Sequence, residues 1–151
     1  MSQQHQNARL NDVLIRIHRN LLQYAGECWP WSAVDHAEEQ AVIFEMVAEQ
    51  RDETHDLVWI LQQRGWNVEF GTYPTDYTDL HYISLEYLLD RLVAEQKQLI
   101  QDVESAIVDC AEDPRGRTLL ETLRPRLRNR LDKLHALASA RTAAGASEGF
   151  A

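Results

Sequence analysis

The sequence predicts an all-α fold, a four-helix bundle, on three observations. Apolar residues recur at spacings of three and four along four separate stretches. No stretch alternates apolar and polar residues as a half-buried strand does. One connection alone, residues 66–78, is long.

The first predicted helix runs from about Ala8 to about Gly26. Leu10, Leu14, Ile17, Leu21, Tyr24 and Cys28 form one face, which Val13 and Leu22 widen. Asn7 is its expected N-cap, and Gly26 followed by Pro30 its stop. Trp29-Pro30-Trp31-Ser32 then makes a short aromatic turn, whose indoles are expected to cover the end of the core. The second helix starts at Ser32 or Asp35, where Asp35-His36-Ala37-Glu38 has the form of a capping box. It continues to Arg64 and ends at Gly65, a residue suited to the left-handed conformation. At 1.5 Å per residue it spans about 40 Å. Residues 66–78, broken by Gly71 and Pro74, reach about the same distance when extended. That connection can therefore cross from one end of a bundle to the other.

The third helix is predicted over Asp79 to Ala111. His81, Leu85, Leu88, Leu92, Glu95, Leu99, Val103, Ala106 and Cys110 lie along its seam. Asp113-Pro114 reads as N-cap and first residue of the fourth. This helix carries Leu120, Leu123, Leu127, Leu131, Leu134 and Leu137, with a kink expected at Pro125. The first helix should pack on the second and the third on the fourth. Residues 1–139 then form a single domain, and 140–151, rich in Ala, Gly and Ser, a flexible tail.

Composition bounds the function. The chain has 151 residues, 44% of them hydrophobic and 26% charged, with a net charge of -9. A phosphate-neutralising nucleic-acid binder or a protein adhering to an anionic membrane needs the opposite sign. No apolar run approaches a membrane span, and residues 1–6 offer no apolar segment of a secretory signal. A cytoplasmic location is expected. Cys28 and Cys110 lack CxxC spacing and read as free thiols among apolar neighbours, a disulfide between helix ends being the alternative. No Gly-rich phosphate loop, nucleophile elbow or HExxH motif occurs.

The second helix interrupts its apolar stripe over Glu49-Gln50-Arg51-Asp52-Glu53-Thr54-His55-Asp56. Asp52 and His55, at i and i+3, share a face. Glu95 stands where a leucine is due in the third helix, and His18 lies beside the Leu14–Leu21 stripe. These residues fall near the midpoints of their helices, so a polar layer is expected halfway along the bundle. It invites two readings. A buried Glu95 needs a counter-charge, and Arg51, Arg128, Arg130 or His55 can supply one, making an ion-pair layer that fixes register. Alternatively, Asp52, His55, Glu95 and His18 form a metal site. A third arrangement leaves the polar stretch facing water.

The layout resembles the ferritin-like superfamily, whose di-iron members place a lone Glu on each of two helices and Glu-x-x-His on each of the others. Asp52-Glu53-Thr54-His55 matches that motif with Asp for Glu. Glu95 matches the lone carboxylate of the third helix, and Leu61-Gln62-Gln63-Arg64-Gly65 the helix end before the family's crossover. The first helix offers His18 or the off-centre Glu27 for its Glu. The fourth has Arg128-Asn129-Arg130-Leu131-Asp132 where the second Glu-x-x-His would stand. The resemblance implies a ferritin-like bundle with a long crossover and a reduced or degenerate metal site. Iron or manganese would be bound by Asp52, His55, Glu95 and His18. Such a protein would be a small metal-binding or accessory protein, self-associating as a dimer or larger homo-oligomer through aromatics such as Trp59 and Trp66. The alternative is a non-catalytic helical interaction module without metal, its partner surface the connection bearing Phe70, Tyr73 and Tyr77.

Overall fold

The computed structural model describes residues 2–29, 31 and 33–148, the side chains of 33–35, 80–82 and 142–148 excepted. The fold is all-α, with no strand among the described residues. Its helices are α1 (Gln3–His18), α2 (Leu21–Glu27), α3 (Ala33–Gln63), α4 (Leu85–Asp109) and α5 (Pro114–Glu148), with a 3-10 segment over Thr75–Tyr82. None of them is long and apolar enough to cross a membrane.

The first predicted helix is two. It starts at Gln3, capped by Ser2, whose hydroxyl accepts from the His5 N–H. Asn7, the expected cap, lies inside α1 and is buried. The helix stops at His18 although the apolar stripe runs on, because Asn20 turns its side-chain oxygen to the Gln23 N–H at 2.9 Å and starts α2. An Asn side chain that satisfies the backbone locally competes with continuing the helix.

α3 bends at His36, whose φ and ψ of -132° and 27° are not helical. The expected caps Ser32 and Asp35, and Pro30, lie outside what is described there. Trp29 and Trp31 meet edge to face, Trp29 also touches Phe44, and both indoles pack on the core as expected. At its other end α3 closes at Gly65, with φ of +70°. The Trp66 N–H bonds the Leu61 carbonyl and the Gly65 N–H that of Gln62. Both bonds of the Schellman motif are thus made.

The connection that follows is pinned by one side chain. Asn11 donates to the Glu69 carbonyl at 2.8 Å, and its oxygen accepts from the Glu69 N–H and the Trp66 indole. A single amide thereby satisfies both main-chain groups of Glu69. α4 begins at Leu85, six residues later than the sequence suggests, because Ser84 is the cap and the preceding segment coils as a 3-10 turn. The side chain of His81, expected to open the seam, is outside the description. α5 begins at Pro114 as predicted, with Asp113 accepting from the Gly116 N–H at 3.1 Å. It passes through Pro125 as one helix and extends to Glu148, over residues expected to be a flexible tail. Alanine is the best helix former, and Arg141 ties that stretch to Glu86 and Glu39. Residues 149–151 lie outside the described chain.

α1 and α2 pack on α3 and on α4, α3 also on α5, and α4 most extensively on α5. Two apolar cores result. One joins Leu10, Leu14 and Ile17 to Leu57, Leu61, Leu99, Leu120 and Leu127. The other joins Leu21 and Ala25 to Ile43, Met46, Leu88, Leu92 and Leu134. Both cysteines are free thiols, with Cys110 buried and Cys28 half-buried.

Candidate functional site

Between the two cores lies a polar layer to which four helices contribute. Gln23 comes from α2, Gln50, Glu53 and Thr54 from α3, Gln96 from α4 and Arg130 from α5, and all six are buried. Their places follow from helical phase. On α3 the buried positions run Ile43, Met46, Gln50, Glu53, Leu57, Ile60, an unbroken 3-4 repeat. On α5 they run Leu120, Leu123, Leu127, Arg130, Leu134. On α4, Leu89, Leu92, Gln96, Leu99 and Val103 keep the same rhythm.

Within the layer Arg130 donates Nη1 to Glu53 Oε1 at 2.7 Å and Nη2 to Glu53 Oε2. Its other acid, Glu49, stands at 3.6 Å. Gln23 donates to the Gln50 side-chain oxygen and to the Val47 carbonyl, both at 3.0 Å. Gln96 donates to the Leu127 carbonyl at 2.9 Å. The layer is an ion pair flanked by neutral amides that bond one another and backbone carbonyls, with Gln50 Nε2 and Arg130 Nε buried and, among the described residues, without a hydrogen-bond partner.

The residues expected to hold metal lie elsewhere. Asp52 and His55 are exposed, standing about 100° and 200° around α3 from Glu53. His18 rests edge-on against Phe70 at 5.5 Å, and burial, with Arg19 and Arg51, lowers its pKa. Glu95 neighbours the seam position that Gln96 takes. The four are not brought together, and among the described residues no group of three or more His, Cys, Asp and Glu side chains is placed to hold a metal ion. Of the arginines considered as counter-charges, Arg130 serves Glu53, while Arg128 is exposed and pairs with Glu104.

Glu95 has a second setting that spacing did not reveal. Its carboxylate accepts from the Tyr77 hydroxyl at 3.2 Å and from the Leu21 N–H at 3.2 Å, with Arg91 at 3.9 Å. Burial raises its pKa above the usual carboxyl value, against those donors and Arg16. Burial, and then the charge of Glu95, also push the Tyr77 phenol well above its ordinary range. Glu95 forms part of the wall of a cleft of about 330 Å³ at the break between α1 and α2. Arg16, Arg19 and Asn20 line it from that break, Thr72, Pro74 and Tyr77 from the connection, and Gln98 and Leu99 from α4. A carboxylate perturbed by burial in a cleft of this size is a mark of functional sites.

The aromatics of the connection face inward. Tyr73 meets Tyr24 edge to face at 5.2 Å and Tyr77 meets it at a tilt at 5.6 Å, and Tyr77 is buried, leaving Phe70 as the exposed ring expected there. Their partner is the bundle itself. Trp66 spends its indole N–H on Asn11. Trp59 is exposed beneath the Arg115 guanidinium, 5.2 Å from the ring centre. No protein-family model matches the chain, and neither does any curated protein or solved structure.

Proposed function

We propose that the chain is a non-catalytic helical interaction module on a ferritin-like four-helix bundle. α1 and α2 together serve as its first helix, and residues 66–84 as its long crossover. An ion pair takes the level at which di-iron members of that superfamily hold metal. The observation that carries this reading is Arg130, fully buried and forked onto Glu53. A guanidinium cannot ligate a cation and repels one, so a metal at that level would have to displace it.

The partner this reading favours is a second copy of the chain. Trp59 lies on a shallow face with Ile60 and Leu119, flanked by Asp56 on α3 and Arg115 on α5. The face thus carries an acid and a base beside apolar surface, and such self-complementary charge is what an isologous dimer uses.

Metal analysis of protein purified without chelator tests the first half. Iron, manganese and zinc each far below one per chain is the expected result. A stoichiometric metal that is lost in Glu95→Ala and His55→Ala overturns the reading and restores the reduced metal site. Sedimentation tests the second half: a dimer that dissociates in Trp59→Ala and Arg115→Asp is expected, and a monomer at all concentrations removes the self-association.

A further inference from the structure

The cleft at the break between α1 and α2 has a composition that the ion-pair layer does not explain. Arg16, on α1, and Arg19, just after it, line the cleft together with Glu95 and Gln98 of α4, and Ile15 and Leu99 add apolar surface from the same two segments. Arg19 is held in place by its Nε–H bond to the Gly71 carbonyl at 3.1 Å and by the Tyr73 ring 4.9 Å beneath it. Arg16 is half exposed, and its nearest acid, Asp102, is 3.8 Å away. Glu95 is fixed by Tyr77 and the Leu21 N–H, and among the described residues no cation stands closer to it than Arg91, at 3.9 Å. The cleft thus carries charges of both signs, from two different segments of the chain, beside apolar side chains. Its volume of about 330 Å³ suits a small molecule.

An anion alone would meet the Glu95 carboxylate, and a cation alone the two guanidinium groups. A ligand bearing both charges satisfies both groups. We propose that this cleft binds a small zwitterion of the α-amino-acid class. Its carboxylate is received by Arg16 and Arg19, its ammonium by Glu95 and the Gln98 amide oxygen, and its side chain by Ile15 and Leu99. Guanidinium groups match a carboxylate bidentately, and Ile15 and Leu99 favour side chains without charge. This inference does not rest on the ion-pair reading, since no residue of the Glu53–Arg130 layer lines the cleft.

Calorimetric titration with the standard amino acids tests it. At least one apolar member is expected to bind saturably, with Kd below about 1 mM. Its deaminated acid and its decarboxylated amine are each expected to bind at least about tenfold more weakly. Glu95→Gln keeps an oxygen for the Leu21 N–H; it should weaken the amino acid by about tenfold or more, while the deaminated acid binds no more weakly and gains from the lost repulsion. Arg16→Gln should weaken both. A role of Glu95 confined to holding Tyr77 and α2 predicts no such discrimination between analogues. The proposal is overturned by absence of binding up to about 10 mM, by a deaminated acid that binds as well as the amino acid, or by unchanged affinity in folded Glu95→Gln. If that variant does not fold, the analogue series on the unaltered chain decides the matter.

Discussion

Glu53 of α3 and Arg130 of α5 meet through two parallel N–H···O contacts, each side chain only 1% exposed. A charge pair sealed from water costs much to assemble and more to break, because removing one partner strands the other. Arg130→Met or Glu53→Gln should therefore destabilise the chain by about 3–5 kcal/mol, whereas Glu53→Met with Arg130→Leu should be near neutral or stabilising. Urea unfolding of the three variants checks this. Single replacements without effect would show that the layer contributes nothing to stability.

Asn11 is a second point at which one side chain secures a large feature. Asn11→Leu leaves both main-chain groups of Glu69 and the Trp66 indole without their partner. A loss of about 2–4 kcal/mol is expected, from two or more hydrogen bonds left unmade. Proteolysis should also become faster between residues 67 and 74, and cleavage that stays as slow as in the unaltered chain refutes the pinning role.

Asp113 caps α5 and also receives both arms of Arg64, at 2.7 and 2.8 Å. Burial on its own would raise the Asp113 pKa, but the Arg64 and Gly116 hydrogen bonds outweigh it and hold the carboxyl below its usual 3.8. A depressed carboxyl contributes stability above the unfolded value, lost as pH falls from about 3.8 through the folded value. Asp113→Asn retains the capping oxygen and should flatten this acid limb, which acid-unfolding curves followed by circular dichroism would reveal.

Gly116 sits against the same cap. A Cβ there would lie 2.6 Å from Asp113 Oδ2 and 3.0 Å from Leu10 Cδ1. Gly116→Ala should thus lower the melting temperature despite the better helix propensity of alanine, which amounts to about 1 kcal/mol. A rise in melting temperature would mean that the cap yields without cost.

Glu95 titrates with the opposite sign. Its folded pKa is raised from 4.5, so the folded chain holds a proton that the unfolded chain has released. The stability tied to that proton is complete below 4.5 and is lost as pH rises through the folded value. Arg16 of α1, the Leu21 N–H of α2, Tyr77 of the connection and Arg91 of α4 all face the group, and Asp76 stands 3.8 Å from Arg91. Relative to Glu95→Gln, the unaltered chain should lose stability as pH rises from 4.5 through the raised folded value. Paired urea melts that run parallel would contradict the raised value.

The apolar stripes made the helices legible, as did the punctuation at Gly65 and Asp113-Pro114. They also implied a polar layer, and one exists. Its members were misassigned because Asp52, His55 and Glu95 stand out chemically while phase favours their neighbours. Carrying the 3-4 repeat across the gap in α3 lands on Gln50 and Glu53, and on α5 it lands on Arg130 rather than Leu131. The break at Asn20 had its own signal in Asn20-Leu21-Leu22-Gln23, a cap followed by Gln three residues on, which the continuing stripe masked. The cleft was not legible, since it forms from the α1–α2 break, the connection and α4, segments about 20 to 80 residues apart whose approach no local pattern encodes.

The short α2 has a consequence for the order in which the molecule is made. Seven residues do not hold a helix in water unaided, and the opening N–H of this one is satisfied by Glu95, 74 positions downstream. While the chain emerges from the ribosome, α1 and α3 can come together early. Leu21–Glu27 reaches its final shape only after α4 has been synthesised, so the cleft closes after the packing of α1 on α3.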